Sequence, residues 1–251
     1  MKTLVIQSYR TNNTPDWISL CLANTRKWVE MHGYDYRFVG DEIFQRVPDW
    51  YVEKTQDYPQ IATDLGRLEL ISEALKEGYK RVAWIDADVL IFNPEPFTIN
   101  ITSGFALGRE LWVQQAPSGG VKFYRNVHNA YCVFCQNNAF LDFYRHACKQ
   151  VVSRMEPAPG KGLVPQIVGP KLLTALHNII GFDLLDDIAM ASPMILHGLA
   201  NDGNEALTIL ADSTTKPVFG ANLCSSLEQD NPQDMLSICK QLLETKTLFK
   251  N

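Results

Sequence analysis

The run Val82-Ala-Trp-Ile-Asp86-Ala-Asp88-Val-Leu-Ile-Phe92 constrains the fold more than any other stretch of this chain. Two carboxylates stand between two apolar segments, each the length of a buried strand and too short for a helix. A carboxylate buried without a partner is costly, so the aspartates belong where the first strand leaves the core. In an open α/β sheet that is the carboxyl edge of the strands, where ligands bind. An Asp-x-Asp there offers oxygens to a hard divalent cation and to ligand hydroxyls. Such a cation can bridge the two phosphates of a nucleoside diphosphate and neutralise the charge that builds on a leaving group. The competing reading is a polar turn with two solvated aspartates.

The rest of the chain supplies the alternation that such a sheet needs. Residues 3–7 read as a buried strand. Pro15 suits the first turn of a helix with Thr14 as its cap. That helix carries Ile18, Leu22, Thr25 and Val29 on one face and ends near Gly33. Residues 34–39 form a second strand, and 41–60 read as an irregular excursion. Ile61, Leu65, Leu68, Ser72 and Leu75 mark the stripe of a helix ending at Gly78. Strands follow at 82–85, 89–92, 103–108 and 130–135, and helices at 139–152, 168–180 and 232–249. Residues 194–197 and 218–223 read as short strands or strand-like loops, and 157–165 as a loop, either a mobile lid or a plain surface connection. Strand–helix alternation in the first half predicts a mostly parallel sheet flanked by helices in a single domain.

Composition excludes several classes. The 251 residues are 46% hydrophobic and 20% charged with a net charge of −5, which excludes a disordered chain and argues against nucleic acid as a partner. No window approaches 18 consecutive apolar residues, so no transmembrane segment is expected. The short apolar run after Met1-Lys2 does not resemble a signal peptide, and the expected location is cytoplasmic. The six cysteines are scattered. Cys132 and Cys135 are the one close pair, and without a second pair at standard spacing they read as strand packing rather than a zinc site.

A second charged pair precedes the acidic run. Asp64 and Arg67 are three residues apart and are neighbours on a helix surface. Asp64 lies within about 40° of the helix's apolar centre, so it turns inward and needs partners. Arg67 is the nearest, and a ligand hydroxyl is another. A structural ion pair is the competing reading. Glu69 and Asp142 read as members of solvated helix faces.

Taken together, Ala62-Thr-Asp64-Leu-Gly-Arg67-Leu-Glu-Leu-Ile71, Gly78-Tyr79 and Trp84-Ile-Asp86-Ala-Asp88 resemble the DXD region of retaining GT-A glycosyltransferases. The likeness is to glycosyltransferase family 32 and to the sugar-transferring domains of large clostridial toxins. Val168-Gly169-Pro170-Lys171-Leu-Leu-Thr174 resembles that family's Gly-Pro-x-x-Leu-Thr segment, and Phe140-Leu-Asp142-Phe-Tyr144 the helix before it. The likeness spans about residues 60–180 with gaps. The chain departs from family 32 in lacking its Gly-Gly-x-Tyr, and from the toxin domains in carrying Cys224 where their late loop has tryptophan.

The resemblance implies a Rossmann-like GT-A domain over 1–251, with 1–108 the nucleotide-sugar half and 109–251 the acceptor half. It implies a metal-dependent hexosyltransferase acting with retention on a nucleotide-sugar donor, a UDP-sugar favoured. Asp64 and Arg67 would hold donor-sugar hydroxyls. Asp86 would contact ribose, sugar or metal, and Asp88 would ligate Mn²⁺ or Mg²⁺. Gln7, Ser8 and Tyr9 would lie near the base. A late loop would complete the metal shell through Asn222 or through His197. The acceptor, a glycan, a lipid-linked group or a protein, would meet residues 109–130 and 155–170. From their residue types, Trp112, Tyr124 and His128 either stack on or hydrogen-bond to a sugar there, or anchor the loop. Two alternatives stay open: a non-catalytic nucleotide-sugar-binding protein, and a metal-dependent nucleotidyltransferase.

Overall fold

A computed structural model describes residues 2–156, 163–201, 203–226 and 234–249. The first strand β1 (Thr3–Ser8) is followed by α1 (Asp16–Met31), β2 (Asp35–Val39), α2 (Asp49–Lys54) and α3 (Pro59–Lys76). Then come β3 (Arg81–Ile85), β4 (Val89–Ile91), β5 (Phe105–Gln115), β6 (Val121–Cys135) and α4 (Ala139–Arg154). The chain continues through α5 (Leu172–Ile180), β7 (Leu184–Leu185), β8 (Ile188–Met190), α6 (Pro193–Ala200), α7 (Glu205–Ser213), β9 (Gly220–Asn222) and α8 (Met235–Thr245).

Six strands form the main sheet in the order β2-β1-β3-β6-β5-β7. β1 pairs parallel with both β2 and β3, β6 runs against both β3 and β5, and β7 is parallel to β5. Five strands therefore share one direction and β6 alone opposes them, which makes the sheet mostly parallel. A second, three-stranded sheet orders β4-β9-β8.

Strand alternation divides the core between the two faces. Leu4, Ile6, Val82, Trp84, Cys132 and Phe134 pack on one side with α3 and α4. Val5, Ala83, Ile85, Tyr131 and Val133 pack on the other with Trp28 of α1 and Phe97. Trp28 stacks on Phe97 at 4.6 Å and donates its indole N–H to the Phe97 carbonyl at 2.7 Å. Cys132 and Cys135, an odd number of residues apart on β6, point to opposite faces and cannot share a metal.

Several elements differ from the sequence reading. Pro15 is itself the N-cap of α1, and the Thr14 hydroxyl, instead of capping the helix, donates back to the Arg10 carbonyl at 3.0 Å. Residues 41–60 are not irregular: a 3₁₀ turn (Asp41–Arg46) and α2 bury Ile43 and Tyr51. Residues 194–197 are helical rather than extended, since Pro193 opens α6. Residues 109–130 belong to a long β5–β6 ribbon whose turn uses Gly119 and Gly120 at φ of 86° and 78°. Glu69 is buried, clamped by Arg145 and by Lys149 at 2.8 Å, so it locks α3 to α4 instead of facing solvent. The part of the expected lid at 157–162 lies outside the described residues. No helix among the described residues is long and apolar enough to cross a membrane.

Candidate active site

β3 ends at Ile85, and the chain turns through Asp86, Ala87 and Asp88 before β4 begins. The turn is held from three sides. The Asp86 amide donates to the Ala130 carbonyl of β6 at 2.8 Å, the Gln7 side chain donates to the Asp86 carbonyl, and the Val89 amide closes the turn onto that same carbonyl. The Asp86 carboxylate accepts the Trp84 indole N–H at 2.6 Å and faces Arg67 at 3.4 Å. It remains half-buried and lines a cleft of about 510 Å³.

Arg67 stands behind this turn and, like Asp64, is not among the described residues that line the cleft. Only 6% exposed, it donates to the Asn129 carbonyl at 2.6 Å, meets Asp64 at 3.2 Å and Asp86 at 3.4 Å, and lies over the Trp84 ring. Burial works against its charge, but Asp86 and Asp64 outweigh that and raise its pKa. Asp64 is equally buried and accepts the Asn129 carboxamide at 2.8 Å. Burial pushes its carboxyl up to about 6 despite Arg67 and Asn129. Gly169 backs onto this pair. A β-carbon there would stand 2.8 Å from an Asp64 carboxylate oxygen and 3.4 Å from the Asn129 amide nitrogen, so the Gly-Pro segment needs glycine to approach. The segment is held by the Tyr144 hydroxyl on the Val168 carbonyl and by the Val127 amide on the Thr174 hydroxyl.

Asp88 depends on the late part of the chain. β9 pairs antiparallel with β4, placing Asn222 opposite Val89. The Asn222 amide donates to one Asp88 oxygen at 2.9 Å and the Ser225 backbone N–H to the other at 2.8 Å. Cys224, between them, sits at φ 52°, a left-handed conformation that is strained for a residue other than glycine. The Asn222 side-chain oxygen Oδ1 accepts the Cys224 backbone N–H at 2.8 Å, so in this arrangement Asn222 orients Asp88 with its side-chain N–H. Burial first, then repulsion from Asp86, push Asp88 up to about 6.

Asp64 and Asp86 both meet Arg67, while Asp88 adjoins Asp86 and is held by Asn222 and Ser225 with no cation beside it among the described residues. That leaves two negative charges when all three carboxylates are ionised, which one divalent cation would balance. The donors are hard carboxylate oxygens of the kind Mg²⁺ and Mn²⁺ prefer. Among the described residues, no group of three or more His, Cys, Asp or Glu is placed so that it could hold a metal ion. A cation held by Asp88 and Asp86 would therefore complete its shell with water and ligand phosphates, the usual mode for Mg²⁺.

The structure thus gathers Asp64, Arg67, Asp86, Asp88 and Asn222 at one sheet edge. Gln7 is fully buried, and its amide bridges the Asp86 carbonyl and the Tyr36 hydroxyl. Ser8 and Tyr9 are half-buried just beyond it. His197 is exposed on α6 and is not among the described residues that line the cleft.

Asn129 was not legible in the sequence. It stands in a run that reads as a strand, and only the register shift between Leu107 and Gly108 makes its role visible. Leu107 pairs with Cys132 and Gly108 with His128, leaving Asn129, Ala130 and Tyr131 unopposed on the β5 side, so Asn129 turns toward Asp64. His128 lies on Gly108, where a β-carbon would come within 2.1 Å of its ring. Burial and Arg67 hold it neutral, pushed down to about 3, and its Nδ1 accepts the Ala130 amide.

No family model matches the chain, and no curated protein matches it. Among solved structures, it is similar to a glycosyltransferase involved in the glycosylation of the major capsid of PBCV-1, at 13% identity and a TM-score of 0.49, over 95% of this chain and 98% of that one. It is also similar to A197 from STIV, at 12% identity and a TM-score of 0.29, over 71% of this chain and 78% of that one.

Proposed function

We propose that this chain is a metal-dependent glycosyltransferase that moves a sugar from a nucleotide-sugar donor to an acceptor hydroxyl with retention of configuration. The observation that carries the reading is the acidic wall itself: three buried or half-buried carboxylates, one guanidinium, and a cleft open to a ligand at the carboxyl edge of β3. A diphosphate donor with a bound cation is the ligand class whose charge such a wall complements.

Asp88 and Asp86 would hold Mn²⁺ or Mg²⁺, which when bound neutralises the departing diphosphate. Asn222 and the Ser225 amide fix the rotamer of Asp88, so the carboxylate need not reorganise on binding. Asp64 and Arg67 would bind hydroxyls of the donor sugar, with Asn129 and Gly169 fixing Asp64 in place. In the transfer, the bond from the anomeric carbon to the phosphate oxygen breaks, and its electron pair leaves with the nucleoside diphosphate. The acceptor oxygen then bonds to that carbon from the same face. Its proton passes to the departing phosphate oxygen, so no side-chain base is required.

Incubation with UDP-glucose, UDP-galactose, UDP-GlcNAc and GDP-mannose in Mn²⁺ tests this. Release of nucleoside diphosphate from one donor, abolished by EDTA and by Asp88→Asn, is expected, with a UDP-sugar the favoured donor. Release that EDTA leaves untouched would contradict the reading. NMR of the product then reads the anomeric configuration, and an inverted product would overturn retention.

A further inference from the structure

The cleft has a second wall that the chemistry above does not use. On the β5–β6 ribbon, Glu110 pairs with Asn126, Trp112 with Tyr124, and Gln114 with Lys122. Strand alternation puts these six on one face, and Glu110, Asn126, Trp112, Tyr124 and Gln114 line the same cleft as Asp86 and Asp88. The opposite face, with Leu111, Val113, Val121 and Phe123, packs into the core beneath α6, α7 and α8. The Ser192 hydroxyl, bonded to the Val113 carbonyl, ties the ribbon to the start of α6. The cleft-lining face is therefore held rigidly from behind.

Its chemistry is specific. Glu110 is only 8% exposed, and its carboxylate accepts the Asn126 amide at 2.6 Å. Burial raises its carboxyl against that hydrogen bond, and no cation among the described residues pairs with it. A carboxylate and a carboxamide side by side give acceptors and donors at a fixed spacing. One step outward, Trp112 and Tyr124 add aromatic surface, Tyr124 exposed with the Lys122 ammonium 5.8 Å from its ring centroid and the Trp112 indole N–H donating to the Gln114 side chain. Polar pairs bound the aromatic pair on both sides, so the surface is too short and too interrupted for an alkyl chain. A sugar ring has the matching two-sided character: an apolar C–H face and vicinal hydroxyls on its rim.

We propose that this ribbon face is a carbohydrate subsite, with a sugar ring stacked on Trp112 and Tyr124 and its hydroxyls bound by Glu110 and Asn126. Resting on the transferase reading for the reaction performed beside it, this makes the acceptor a glycan rather than a peptide or lipid hydroxyl. Glu110 then positions the acceptor.

Ligand-detected saturation-transfer NMR on the full chain, with methyl glycosides of glucose, galactose, mannose and N-acetylglucosamine and with a Ser/Thr-rich peptide, tests it. At least one glycoside is expected to receive saturation, concentrated on the protons of one ring face. Trp112→Ala and Tyr124→Ala should each weaken that binding about fivefold, and Glu110→Gln about tenfold. The two aromatic variants keep the fold-forming face of the ribbon, so circular dichroism should match the parent. No glycoside binding, binding that all three variants leave unchanged, or binding of the peptide alone would overturn the subsite. Glycoside binding without turnover of any donor would leave the subsite standing and sink the transferase reading. Donor turnover without glycoside binding would do the reverse.

Discussion

The two walls of the cleft are built in opposite ways. The wall around Arg67 is buried, and its charged groups satisfy one another across α3, β3 and β6. The ribbon wall lies on a two-stranded extension of the sheet, and its outer groups meet solvent. Loss of one charge from the first wall strands the others in a low-dielectric setting, whereas loss of a ring from the second leaves the backbone ladder intact. The first wall should therefore couple stability to activity, and the second should separate them.

The strongest way to break that contrast is Arg67→Met. It leaves Asp64 and Asp86 without their cation and should cost about 3–5 kcal/mol in urea unfolding. A cost under about 1 kcal/mol would mean that the wall is not held by charge. Next comes Asp88→Asn. Asp88 is the exception to that coupling, held by Asn222 and Ser225 rather than by Arg67, so its loss strands no cation and the fold should persist, while donor turnover falls by about 10²–10³. Gly108→Ala strikes the root where the two walls join. The new methyl group must displace the His128 ring, and the expected cost is about 1–3 kcal/mol by the same unfolding measurement.

His128 adds a pH dependence at that root. Its folded pKa is depressed from 6.5 to about 3, so its contribution to stability is fully present above pH 6.5 and is lost as pH falls toward 3. His128→Phe should flatten the stability slope across that interval relative to the parent, read by denaturation at several pH values. Trp112→Ala should have the smallest effect on folding, within about 0.5 kcal/mol of the parent, while glycoside binding falls. A large loss of stability would make Trp112 a structural prop of the ribbon.

The same contrast explains what the sequence could show. Asp64 and Arg67 are three residues apart and Asp86 and Asp88 two, so helix and strand periodicity alone bring each pair to one surface. The mostly parallel sheet followed from strand–helix alternation in the first half. Residues 109–130, with Trp112 and Tyr124, were expected at the acceptor, but the pairing of Glu110 with Asn126 was not legible, because the two are 16 residues apart and meet only through hairpin register. That register depends on the irregularity at Leu107/Gly108, which no local pattern marks. Asn129 was hidden by the same irregularity. The strand expected at 194–197 failed for another reason: four residues cannot distinguish the two periods, and the start signal was Pro193, just outside the window.

The most direct test of the central claim, that the acidic wall binds a nucleoside diphosphate through a divalent cation, is calorimetric titration of UDP and of GDP with Mn²⁺, with EDTA, and into Asp88→Asn. The account predicts binding of one nucleotide that requires Mn²⁺ and disappears in Asp88→Asn. Equal affinity with and without the metal, or no binding of either nucleotide, would contradict it.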